Sequence, residues 1–187
     1  MISAEYKAMQ EELHDRGDYG TASIQYAPLV TKLINDLGVT HLLDYGCSRL
    51  LNLYKHIKPK HKITYQAYDP AVEEYADRPV PAQMVACIDV LEHIEPEYLD
   101  SVLDDLVSLT EMILFCTIHT GPAQKVLSDG RNAHLIQQPM SWWLPKLWDR
   151  FDINTVQRTG DNQFFIVAYA NRRIESVNGG KAGGPDH

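Results

Sequence analysis

The stretch His41-Leu42-Leu43-Asp44-Tyr45-Gly46-Cys47 decides how this chain folds. A short apolar run ending on a carboxylate and a glycine reads as a buried strand followed by a tight turn. The glycine opens backbone angles, and a close backbone approach, that other residues resist. Upstream, Leu29, Val30, Leu33, Ile34 and Leu37 recur at amphipathic spacing on a helix expected from about Ser23 to Gly38. An earlier helix, capped by Ser3, carries Tyr6, Met9 and Leu13 on one face.

Downstream the pattern alternates. Leu50 to Ile57 is a helix candidate, and Ile63 to Tyr68 a second strand ending at Asp69-Pro70. Met84 to Ile88 is a further strand ending at Asp89. Pro96 opens a helix with Leu99, Val102, Leu103, Leu106 and Leu109 on one face, and Met112 to Cys116 is the next strand. Apolar strands separated by helices predict a parallel sheet covered on both faces. Trp142, Trp143, Leu147 and Trp148 mark a last helix, more in the manner of core or interface residues than of a stacking platform. Ile153 to Val156 and Phe164 to Tyr169 flank Thr159-Gly160-Asp161-Asn162 and read as an antiparallel hairpin at the sheet edge. Residues 1–170 are expected to form one domain, with 1–38 as N-terminal helices and lid, and 171–187 a flexible tail.

Asp44, Asp69 and Asp89 each follow an apolar strand. In an open parallel sheet, ligands bind beyond the carboxyl ends of the strands, where the strand order reverses. One aspartate there is ordinarily a cap or turn residue. Three at successive strand ends, the first beside a glycine turn, favour a binding crevice. Asp69 lies 25 residues after Asp44, near the spacing at which a carboxylate accepts from ribose hydroxyls in nucleotide-binding folds.

On these residues the chain resembles the class I S-adenosylmethionine-dependent methyltransferases. Leu42 to Cys47 resembles their glycine-rich first motif, and Ala67-Tyr68-Asp69-Pro70 their second, acidic motif. Cys87-Ile88-Asp89-Val90-Leu91-Glu92-His93-Ile94 resembles the D-V-L-E-H-I segment frequent in the small-molecule branch, and the block from His134 to Phe151 the later family pattern. The resemblance spans roughly residues 19 to 170. It implies a Rossmann-like, doubly wound, mainly parallel α/β sheet with a C-terminal antiparallel hairpin, and S-adenosyl-L-methionine as cofactor. It further implies that Asp44, Tyr45, Gly46 and Cys47 line the methionine end of the cofactor and that Asp69, beside Pro70, holds the ribose. Asp89, with the backbone of Val90 and Leu91, would border cofactor and acceptor, and Tyr19 and Tyr26 would belong to a lid. Two departures stand out. Ser48-Arg49-Leu50 replaces the second half of the glycine motif, where Arg49 either reaches a cofactor carboxylate or is solvated. Only 20 residues separate Asp69 from Asp89, so the family's third strand is expected to be shortened or missing.

For an acceptor that must lose a proton, His134 and His93 are the candidate bases, with His119 behind them. Asp129, Arg131, Asn132 and Tyr19 are candidates for acceptor binding, the first three in a polar loop of the kind that often carries function. For His93 and for the loop, a purely structural role, capping and backbone hydrogen bonding, is weighed about equally. Asp89, Glu92, His93 and His119 match no metal-ligand spacing, so no metal is expected.

Charge and composition narrow the class. A net charge of −8 and a pI near 5.4 disfavour a nucleic-acid partner and favour a small-molecule acceptor. No apolar run spans a bilayer and no secretory leader is visible, which predicts a cytoplasmic protein without a membrane partner, and a homodimer is compatible with the exposed-aromatic pattern. Three cysteines without C-x-x-C pairing read as buried free thiols. The leading expectation is a methyltransferase acting on an oxygen or nitrogen of a small polar acceptor. The alternatives are a methyltransferase-fold binding or scaffold protein that lost catalysis, and another doubly wound nucleotide enzyme such as a reductase, which the D-V-L-E-H-I segment opposes.

Overall fold

The computed structural model describes residues 2–15 and 21–170. Helices α1 (Ala4–Asp15) and α2 (Ala22–Leu37) precede strand β1 (His41–Tyr45), and a five-residue helix α3 (Asn52–His56) leads to β2 (Thr64–Tyr68). Next come β3 (Ala82–Ile88), α4 (Leu99–Leu109), β4 (Thr110–His119), α5 (Met140–Trp148), β5 (Phe151–Gly160) and β6 (Gln163–Ala170). The strands form one six-stranded sheet in the order β2-β1-β3-β4-β6-β5. β1 to β4 pair in parallel, and β6 and β5 add antiparallel. The expected hairpin is present, turning at Asp161 and Asn162 with β5 on the edge.

Alternation along the strands builds two cores. Leu43, Val85 and Leu114 face Val102, Leu103 and Leu106 of α4 together with Trp143 and Leu147 of α5. Their neighbours Leu42, Met84 and Ile113 face the other way, against Val30 and Ile34 of α2 and Leu53 of α3. Each such buried aliphatic side chain contributes about 1.5–3 kcal/mol of transfer free energy, which makes the leucine face of α4 a principal anchor of the sheet. Trp143 is fully buried, whereas Trp148 stands exposed. Cys47, Cys87 and Cys116 are buried free thiols.

Several element ends follow local chemistry. Ser3 Oγ accepts the Tyr6 N–H at 3.1 Å, the cap expected for α1. Gly38 ends α2 in the left-handed region at φ 67°. Between Asp69 and Ala82 the chain forms only a 3-10 turn, Glu73–Tyr75, so β2 is the sheet edge and no strand among the described residues lies beyond it. The helix expected from Leu50 to Ile57 is shorter, because Leu51 adopts φ 48° and delays helical geometry to Asn52. The tail and Tyr19 lie outside the described residues. No helix among the described residues is long and apolar enough to cross a membrane.

Candidate active site

The chain passes from β1 to β2 on one side and returns to β3 on the other, so the strand order reverses at β1. Beyond the carboxyl ends of β1, β2 and β3 opens a cavity of about 470 Å³ whose lining includes Asp44, Asp69 and Asp89. That volume is within the ordinary range for small-molecule sites. Tyr45, Gly46, Cys47, Pro70 and Val90 also line it, and so do His93, His119 and His134.

The loop after β1 is shaped by backbone geometry. Gly46 has φ 82°, and a Cβ there would stand 2.4 Å from Val90 Cγ2, so glycine is required both for conformation and for close packing. Ser48 follows at φ 55° and Leu51 at φ 48°, both in the left-handed region usually left to glycine. Lack of glycine at Ser48 therefore does not abolish the turn. Ser48 Oγ accepts the Leu50 N–H at 3.2 Å, a local bond that helps hold the strained conformation. Arg49 points away and pairs with Asp15 at 2.8 Å, which settles it as an exposed ion-pair partner.

The aspartates are held by different partners. Asp69 is buried; its Oδ2 accepts the Ser48 N–H and its Oδ1 the Ala71 N–H, both at 3.0 Å. His14 Nε2, from α1, lies 3.7 Å from the same Oδ2. Asp44 is buried and accepts from the Tyr65 hydroxyl. Burial, with the Asp69 charge nearby, pushes its carboxyl up to about 7, against the opposing effect of the Tyr65 hydrogen bond. Asp89 sits at φ 51°, where Gln163 Nε2 donates to both carboxylate oxygens at 3.1 Å and Thr117 Oγ1 donates to Oδ1.

The opposite wall is built of histidines. His93 Nδ1 contacts Ala133 O at 2.8 Å, and His134 Nδ1 contacts Gly121 O at 2.7 Å. A carbonyl only accepts, so Nδ1 carries the hydrogen in each ring and, in the neutral form, Nε2 carries the lone pair. Burial, reinforced by His134, lowers His93 to about 3, which makes it a poor base near neutral pH. Burial lowers His134 as well, leaving it neutral and able to accept.

Helix α1 covers the cavity. Ser3 binds Glu95 through its N–H at 2.8 Å and its hydroxyl at 2.6 Å, and the Tyr6 hydroxyl donates to His93 O at 2.5 Å. Gln10 Nε2 donates to Tyr6 Oη at 2.6 Å, and Gln10 and His14 complete the lining from that side.

Several residues expected at the site do not line the cavity. Tyr26, expected in a lid, is buried against Phe115 and Phe165, with its hydroxyl 3.1 Å from Thr159 Oγ1. The Leu91 side chain lies in the core, which leaves only its backbone for the expected role. Arg131 is exposed and paired with Asp129 at 2.6 Å, so neither serves the cavity directly. Asn132 organises its own loop, accepting from Ala123 N and His134 N at 2.9 Å and donating to Ala123 O at 2.9 Å. Sequence reasoning missed Gln10, His14, Thr117 and Gln163, whose isolated side chains carry no motif. Spacing alone gives Glu92 no metal partner, yet Glu92, His93 and His134 present atoms within 4.8 Å of one another.

No protein-family model matches the sequence, and no curated protein matches it. Solved structures do match in fold. The 1,6-didemethyltoxoflavin-N1-methyltransferase of Burkholderia thailandensis, solved with 1,6-didemethyltoxoflavin and S-adenosylhomocysteine bound, superposes with a TM-score of 0.63 at 16% identity, over 91% of this chain and 92% of that one. A SAM-dependent methyltransferase from Aquifex aeolicus gives 0.56 at 15% identity, over 86% and 98%. Magnesium protoporphyrin IX methyltransferase from Synechocystis, with bound S-adenosylhomocysteine, gives 0.53 at 15%, over 79% and 83%. With the reversed strand order, the glycine turn after β1 and the antiparallel β6 and β5, these likenesses give the chain the class I methyltransferase fold.

Proposed function

We propose that this protein is an S-adenosylmethionine-dependent methyltransferase acting on an oxygen or nitrogen of a small polar acceptor. One observation carries the reading: Asp44, Asp69, Asp89 and the Gly46 turn share a single cavity at the point where strand order reverses. Bound there, the cofactor supplies a sulfonium methyl, whose transfer depends chiefly on an in-line approach of the acceptor.

The chain's own groups fit that task. Asp69, at the end of β2, offers a desolvated carboxylate to the ribose hydroxyls, with Pro70 beside it. The backbone of Gly46, Cys47 and Ser48 forms the turn against the methionine end, next to Asp44. Asp89 and Val90 border cofactor and acceptor, and α1 excludes water from above, tied down through Ser3 and Tyr6. His134 presents Nε2 as the lone pair serving the acceptor, while His93, with its depressed proton affinity, positions rather than titrates.

One feature favours the rival, a binding protein without catalysis: the Ser48 N–H already donates to Asp69 Oδ2 and engages a carboxylate expected to hold ribose. Calorimetric titration with S-adenosylmethionine and S-adenosylhomocysteine, followed by transfer of labelled methyl to small polar acceptors, separates the two. Binding with transfer supports the enzyme, whereas binding without transfer to any acceptor, or no heat at millimolar ligand, removes the enzyme reading and favours the rival.

A further inference from the structure

The histidine wall carries a second kind of site. Glu92 lies directly behind it and is 0% exposed. Its Oε1 accepts the His119 N–H at 2.7 Å, but Oε2 has no hydrogen-bond partner among the described residues. A bare buried carboxylate oxygen is costly and calls for a donor or a cation. Protonating Glu92 does not remove the difficulty, because the new O–H would itself need an acceptor.

The neighbours of Glu92 are suited to supplying a cation site. The rings of His93 and His134 stand 4.7 Å apart between centroids at 81°, and each fixes its Nδ1 on a backbone carbonyl. Metal-bound histidines characteristically hold their second ring nitrogen in this way, which selects the tautomer and orients the lone pair. Both imidazoles line the cavity.

We infer that Glu92, His93 and His134 bind a divalent transition-metal ion, zinc foremost, with an open coordination position toward the cavity. Two imidazole nitrogens and one carboxylate oxygen match a three-ligand zinc site that leaves a fourth position for solvent or substrate. Magnesium and calcium, which prefer oxygen ligands throughout, fit less well. The ligand atoms lie within 4.8 Å of one another. Bonds of about 2.0–2.2 Å would bring them to about 3.3–3.6 Å in a tetrahedral site, a closure that small side-chain rotations supply. The inference rests on the proposed function only for the ion's role: the open position would take an oxygen or nitrogen of the acceptor. His134 then serves the acceptor through the ion rather than by taking its proton.

The test is a titration of chelator-treated, full-length protein with Co²⁺, followed by visible absorption and displacement by Zn²⁺. One equivalent is expected to give the bands of a low-symmetry cobalt site. Glu92→Gln, which keeps the side-chain volume, and His134→Ala should each weaken binding by about 100-fold or more, since a lost ligand costs at least as much as a lost supporting partner. Circular dichroism establishes that each variant is folded. Should one variant fail to fold, the other decides, along with a zinc-dependent rise in the wild-type melting temperature. Absence of stoichiometric binding, or binding unchanged in a folded variant, overturns the site. S-adenosylhomocysteine binding is measured separately on the metal-free protein. Metal without nucleoside binding upholds the site and removes the transferase reading, whereas nucleoside without metal binding does the reverse.

Discussion

The two walls of the cavity are built on opposite electrostatic plans. At the ends of β1 and β2, buried carboxylates are held by donors: Asp69 by two backbone N–H groups and Asp44 by a tyrosine hydroxyl. At the end of β3 and in the loop after β4, imidazoles are pinned to acceptors, the carbonyls of Ala133 and Gly121. The first wall comes from two short contiguous turns whose shape is dictated by backbone angles. The second joins residues far apart in the chain, His134 lying 41 positions after His93. One wall therefore depends on local conformation, and the other on tertiary packing under α1.

Gly46→Ala attacks the first wall hardest. The new Cβ would meet Val90 Cγ2 at 2.4 Å while keeping φ near 82°. A loss of about 3 kcal/mol is expected in urea denaturation, from overpacking and left-handed strain together. A loss below about 1 kcal/mol would show that the turn yields and that its geometry is not what shapes the wall.

Asp44 sets a pH signature. Its folded pKa of about 7 lies above the ordinary carboxylate value, so the folded state binds a proton that the unfolded state has released. This group's contribution to stability is full below pH 4 and declines as pH rises through 7. Between pH 5 and 8 the decline amounts to about 2–3 kcal/mol. Asp44→Asn should flatten that slope in denaturation midpoints measured across the range, and an unchanged slope would refute the assignment.

Asp69→Ala should weaken S-adenosylhomocysteine binding by about 30-fold, equivalent to about 2 kcal/mol, by calorimetry. Unchanged binding would move the ribose elsewhere. The smallest effect concerns Ser48. At an ordinary loop position alanine is more stabilising than glycine, but at φ 55° the order should invert, with Ser48→Gly about 1 kcal/mol more stable than Ser48→Ala.

The same contrast between local and tertiary determination governs what was legible in the sequence. β1, the α2 stop at Gly38, the leucine face of α4 and the terminal hairpin follow from periodicity and turn chemistry, and each is found where those rules put it. The absence of a strand between Asp69 and Ala82 was legible from spacing alone. The convergence of Asp44, Asp69 and Asp89 followed from the topology that these patterns imply. The resemblance gave Tyr26 a lid position, and nothing in the local pattern shows that its ring packs against Phe115 and Phe165 in the core. Asn132 and Arg131 look like ligand-binding residues in a polar loop, yet Asn132 bonds within that loop and Arg131 bonds to Asp129 and to Met9 of α1. The Glu92, His93 and His134 cluster was invisible as a motif, since only the fold of the loop after β4 returns His134 to the end of β3.

A crystal structure grown with S-adenosylhomocysteine would decide whether this cavity is a nucleoside-sulfonium site. Density is expected between the Gly46–Ser48 backbone and Asp69, with the ribose hydroxyls on the Asp69 carboxylate. A ligand seated away from Asp69, or a cavity left without it at saturating concentration, would rule that assignment out.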